Sequence, residues 1–127
     1  MRIDVRRTLI SLSTALLLTA CGPFHHGGPP DAAIIFHNDS TDQADVYALG
    51  SGGEPIRIGT VFAGRTETLK VPSTATGATS RVNVLARIFA SGRVVSSGPF
   101  TLESGQTMDV RLTSDEKMLA VLPSRGD

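Results

Sequence analysis

His37 is the one imidazole in the part of the chain patterned like a folded domain, and Asp39, Asp42 and Asp45 follow it within eight residues. Carboxylates gathered in one loop could hold a hard cation such as calcium, which takes oxygen ligands, or could receive a small polar ligand. The spacing through Asn38-Asp39-Ser40-Thr41-Asp42-Gln43-Ala44-Asp45 is not that of an EF-hand loop. Asp, Asn and Ser are equally the residues of turns, where their short side chains bond nearby backbone. Hydrolytic chemistry would have to assemble a nucleophile and an orienting group around His37 alone. Ser114-Asp115-Glu116-Lys117 has the S-x-x-K spacing of penicillin-recognising enzymes but falls in a turn between strand patterns, without the helix and partner motifs that chemistry needs. No glycine loop ending in Lys-Ser or Lys-Thr is present to cradle a phosphate. These residues predict no enzyme, no catalytic group, no resident metal and no cofactor. The stretch from His37 to Asp45 stands as the alternative, a small-ligand or calcium-binding loop with Asp39, Asp42 and Asp45 as its candidate ligands.

Composition narrows the classes further. The chain has 127 residues, 12 basic against 12 acidic, one cysteine and no tryptophan. Balanced charge speaks against a nucleic-acid binder, which needs clustered Lys and Arg to displace counterions from a phosphate backbone. A lone cysteine excludes an intramolecular disulfide and a Cys-based zinc cluster. With no tryptophan and Tyr47 as the single tyrosine, little aromatic surface is left for stacking on sugars.

The amino terminus reads as an address. Arg2, Arg6 and Arg7 precede a thirteen-residue uncharged, Leu-rich run from Thr8 to Ala20. A membrane-crossing helix needs about 20 residues, so a basic region followed by a short apolar one is the pattern of a cleaved signal peptide. The run closes on Leu18-Thr19-Ala20-Cys21, which resembles the lipobox of bacterial lipoproteins. The resemblance implies cleavage between Ala20 and Cys21, diacylglycerol on the Cys21 thiol and acylation of the new amino terminus. Each buried methylene contributes about 0.8 kcal/mol and one chain holds only marginally, so two or three chains would make attachment durable. Gly22 stands where an Asp would be the inner-membrane retention signal of enteric bacteria, so the resemblance implies the outer membrane, facing the periplasm. Arg6-Arg7 followed by Thr8-Leu9-Ile10 is also similar to a twin-arginine export signal.

Residues 21–31 are expected to form the lipidated cysteine and a tether. Gly22 to Asp31 holds three Gly and three Pro in ten positions, which sustains neither helix nor ladder strand. Extended, ten such residues reach roughly 30 Å. His25-His26 lacks the convergent third and fourth ligands of a metal site. At the other end, residues 124–127 read as a disordered tail, and the Arg125-Gly126-Asp127 tripeptide in it reads as coincidence.

From 32 to 123 the apolar period becomes two, broken by Gly, Ser, Asp and Pro. Strands are predicted over Ala32–His37, Ala44–Leu49, Ile56–Val61, Glu67–Val71, Val82–Ala90, Arg93–Leu102, Thr107–Leu112 and Met118–Leu122, with the Val82 run as the most central. Ser91-Gly92 suggests a two-residue hairpin, and Ser73 to Ser80 a polar loop crossing between sheets. Helix is expected to be essentially absent. The predicted core is Ile34, Phe36, Val46, Ile56, Ile58, Leu69, Val71, Val82, Val84, Ile88, Met108, Val110 and Leu112. Seven to eight strands in about 90 residues make an all-β, antiparallel two-sheet sandwich the expected fold, with a small closed barrel as the alternative. Ile34 to Asn38, Asp45-Val46-Tyr47, Arg57 to Val61 and the Gly105-Gln106 turn resemble small secreted or lipid-anchored bacterial domains, a likeness covering Ile34 to Leu112. It implies an immunoglobulin-like sandwich and brings no activity.

Two functional classes follow. The first is a non-enzymatic envelope lipoprotein, held to the membrane by acyl chains on Cys21 and binding an envelope protein through an exposed edge or apolar patch. The second is the ligand- or ion-binding loop around His37 to Asp45, which requires those side chains to converge.

Overall fold

The computed structural model describes residues 30–124. Among these residues eight strands form, in chain order β1 (Ala32–Asn38), β2 (Ala44–Gly50), β3 (Ile56–Val61), β4 (Thr66–Val71), β5 (Arg81–Ile88), β6 (Val94–Thr101), β7 (Thr107–Leu112) and β8 (Leu119–Pro123). They lie in two four-stranded sheets, ordered β4-β1-β7-β8 and β3-β2-β5-β6. The fold is therefore the all-β two-sheet sandwich that the period of two predicts, and the closed barrel is not formed. Five strand pairings among the described residues are antiparallel. The sixth, β1 with β7, is parallel, Ile34 lying beside Met108 and Phe36 beside Val110. Chain direction explains it. The chain returns from β6 at the end of the sandwich where β1 begins, so β7 starts alongside the start of β1.

Alternation gives each sheet one dry face. Along β1 the buried positions are Ala32, Ile34, Phe36 and Asn38, and along β5 they are Val82, Val84, Ala86 and Ile88. The two dry faces meet in a core of small and branched side chains around Phe36, with Leu102, Leu112 and Leu119 closing it. Of the predicted core, Ile56, Ile58 and Met108 are only partly buried. Ile58 has no partner in the β2–β3 register, which jumps from Val46↔Gly59 to Tyr47↔Arg57, and the extra residue of a bulge is lifted out of the ladder. β5 is one of two interior strands of its sheet rather than a single central one.

Two local expectations are corrected. Helix is not wholly absent: the Ser73 to Ser80 stretch, which does carry the chain from one sheet to the other, contains a single turn, α1 (Ser73–Thr76), with Ala75 and Thr76 buried. The β5–β6 connection is not a two-residue hairpin. Ile88 N–H donates to Arg93 O across a four-residue loop, Phe89 to Gly92, with Gly92 at φ +73°.

The connections sort by end. Pro30, Ser51 to Pro55, Pro72 to Ser80 and Leu102 to Gln106 lie at the end where the chain enters, tied by Ala33 N–H to Gln106 O at 3.0 Å. Asp39 to Gln43, Phe62 to Arg65, Phe89 to Arg93 and Thr113 to Met118 lie at the far end. Gly64 N–H to Asn38 O, Asp39 N–H to Leu112 O and Phe89 N–H to Gln43 O bind the far loops together at 2.8, 3.1 and 2.9 Å.

Candidate functional site

The loop following His37 is built around the Asn38 side chain, which is wholly buried. Its amide nitrogen donates to Asp42 O at 2.8 Å and to Val61 O at 2.9 Å. Its oxygen accepts from Ser40 N–H at 3.0 Å and Ser40 Oγ at 2.7 Å. The inside of the loop is thus filled by its own amide and hydroxyl, with carbonyls turned inward to them rather than toward a ligand.

The three carboxylates diverge. Asp39 Oδ2 lies 3.3 Å from Arg111 Nη1 on β7, and Asp45 Oδ1 lies 3.0 Å from Arg57 Nη2 on β3 while accepting from Thr60 Oγ1 at 2.8 Å. Arg57 also reaches Thr60 Oγ1. Asp42 contributes its backbone to the Asn38 network. No group of three or more His, Cys, Asp or Glu side chains among the described residues could hold a metal ion. Asp39 and Asp42 belong to the loop that carries the chain from β1 in one sheet to β2 in the other, and Asp45 already lies on β2.

His37 projects from the outer face of the β4-β1-β7-β8 sheet, away from that loop's interior. Its Nδ1 is 3.1 Å from Thr66 Oγ1, its register partner on β4, and its Nε2 is 3.9 Å from Asp109 Oδ2. The line of hydroxyl, imidazole and carboxylate is partly exposed, and its last gap is too long for a hydrogen bond. Asp109 Oδ1 is buried without a hydrogen-bond partner among the described residues, beside an open groove lined by Ile35, Leu122, Pro123 and Ser124. The Ser114 to Lys117 motif lies in the β7–β8 turn, not on a helix. There Thr113 Oγ1 donates to Asp115 Oδ1 at 2.6 Å and Lys117 N–H at 3.1 Å, which together hold the Asp115 carboxyl below the usual aspartate range. Lys117 enters this turn through its backbone N–H.

Sequence reasoning passed over the surface that the fold does create. Phe62, Phe89, Val94 and Met118 are 55 to 69% exposed, and all four belong to the far end of the sandwich. Parity was the available signal: Val61 and Ile88 are buried, so Phe62 and Phe89 fall on the opposite side. Cys21, the Ala20–Cys21 cleavage position, His25-His26 and Arg125 to Asp127 lie outside the described residues. Among the described residues no helix is long and apolar enough to cross a membrane. No protein-family model matches the chain, and no curated protein matches it.

Proposed function

We propose that this protein is a lipid-anchored envelope lipoprotein whose sandwich is a non-enzymatic module for binding another envelope protein. Leu18-Thr19-Ala20-Cys21 after a basic and apolar leader supports the anchor, with Cys21 the acylated residue, cleavage after Ala20, and the periplasmic side of the outer membrane as destination. The observation that carries the interaction reading is polarity along the long axis. The described residues begin at one end, where Pro30 packs near Gly105, and four of the five large exposed apolar side chains among them stand at the other. Strands of seven residues separate the two ends by about 23 Å. An anchor at the entry end attaches the domain by its base and leaves the loops of Phe62, Phe89 and Met118 free to face away from the membrane. Apolar side chains exposed together at one end of a domain, where they form a contiguous patch, are the mark of an interaction surface.

The test is intact mass and fractionation of the full chain expressed in a bacterium, wild type beside Cys21→Ala. The expected wild-type product begins at Cys21, carries the mass of diacylglycerol and an amide-linked acyl chain, and sediments with membranes, whereas Cys21→Ala is unacylated and leaves the membrane fraction. An unmodified wild-type chain released into the periplasm would refute the anchor.

A further inference from the structure

We infer that the outer face of the β3-β2-β5-β6 sheet is the docking surface for an acidic protein segment that carries an apolar anchor side chain. The inference deepens the interaction reading above and rests on it. Outward positions on this sheet include Tyr47 and Leu85, which are register partners, and Val94, which pairs with Arg87. Tyr47, Pro55, Leu85, Arg87 and Val94 line a cleft of about 210 Å³. Liquid water occupies about 30 Å³ per molecule, so the cleft has room for one large apolar side chain. Phe89, 69% exposed, continues the same face two residues beyond Arg87.

Charge selects the partner. The strands of this sheet carry Arg57, Arg81 and Arg87 against the single carboxylate Asp45, and Asp45 is already held by Arg57. Arg81 and Arg87 are exposed and form no ion pair among the described residues. Glu54 belongs to the loop leading into β3. The strands of the opposite sheet are balanced, Glu67 and Asp109 against Lys70 and Arg111. Arg87 lines the apolar cleft, beside its register partner Asp45, and Arg81 stands four residues before Leu85 along β5, so the face fits a segment that places carboxylates along β5 next to a buried anchor. Arg forms bidentate bonds to such groups, and a central apolar anchor with a charged rim is the usual anatomy of a tight contact. A recess favours a side chain over a bilayer, into which apolar groups must protrude.

The experiment places a photocrosslinking amino acid at Leu85 in the full chain, in the envelope of the producing bacterium, with the same probe at Thr68 on the opposite sheet and at Ala63 in the far-end β3–β4 loop. The expected result is an adduct from position 85 and none from 68, mapped by mass spectrometry to a carboxylate-rich segment of another protein. The yield should fall about tenfold or more with Arg81→Glu/Arg87→Glu, because like charges then face each other, and should survive Arg81→Lys/Arg87→Lys. Equal thermal midpoints for the two double variants exclude misfolding as the cause. An adduct to lipid, to a second copy of this chain or to a carboxylate-poor segment would overturn the inference, as would a yield indifferent to charge reversal. Adducts from position 63 with none from 85 would overturn this face while leaving the interaction module standing, and no adduct from either position would overturn both.

Discussion

Asn38 shows how a residue chosen for one chemistry does another. A run of Asn, Asp and Ser after an apolar strand can be either a cation loop or a turn, and the choice depends on whether the oxygens point inward to a common centre. Here the centre is occupied by the Asn38 amide, which spends one donor and its acceptor within the loop and its other donor on Val61 O at the end of β3. That the loop is a turn was legible from residue types. That its hub is a buried amide spanning to Val61 on another strand was not, because the partner is 23 residues away in sequence. Asn38→Asp is nearly isosteric but exchanges two donors for a carboxylate that only accepts, leaving the Asp42 and Val61 carbonyls facing a buried charge. The expected cost is about 3 kcal/mol or more, read as a lower urea midpoint with an unchanged slope. A loss under about 0.5 kcal/mol, the range of ordinary surface changes, would show that the amide is not the hub.

At the scale of elements, period-two patterning locates all eight strands because one face of each is dry and the other wet, and their ends fall within two residues of the predicted ones. Pairing is a different matter. The parallel contact of β1 with β7 joins segments about 75 residues apart in sequence, such as Ile34 and Met108, and no local pattern encodes which distant strand a strand will meet. The turn of helix α1 was hidden for a related reason. Ser-Thr-Ala-Thr reads as loop, since it has no apolar stripe, and it is ordered by what it packs on: Ala75 and Thr76 are turned inward against the end of β2. Gly50 makes that approach possible, because a Cβ there would run into the Ala75 carbonyl oxygen. Gly50→Ala is expected to destabilise the domain by about 2 kcal/mol, the usual cost of forcing an atom into a packed contact. Gly53→Ala, in the β2–β3 connection, where a Cβ would meet nothing nearer than the Gly50 carbonyl oxygen at 3.9 Å, serves as the control. Equal unfolding midpoints for the two variants would mean that α1 moves aside without cost.

For the whole molecule, the question is which surface is free to bind. Each sheet has two edge strands, and all four are guarded against pairing with another chain: β3 by its bulge, β4 by Glu67 and Lys70, β6 by a register shift with Gly98 and Pro99, β8 by its shortness and Pro123. With edge pairing opposed, most of the large exposed apolar side chains stand at the far end and on the face continuous with it, Leu122 on β8 being the exception among the described residues. Phe36 and Phe62 make the contrast plain. Phe36 lies on an inward position within β1 and is fully buried, whereas Phe62 follows the buried last residue of β3 and is 59% exposed. Phe62 and Phe89 therefore contribute little to folding, and Phe62→Ser/Phe89→Ser is expected to leave the unfolding free energy within about 0.5 kcal/mol of wild type, where Phe36→Ala should lose about 3 to 5 kcal/mol. The same double variant should lose the envelope adducts formed by a photocrosslinker at Ala63, since the apolar surface beside the probe is what its partner would cover. A variant that folds as well as wild type and keeps those adducts at full yield would show that the far end is bare surface. One that unfolds readily would show instead that these two rings support the loops they sit in.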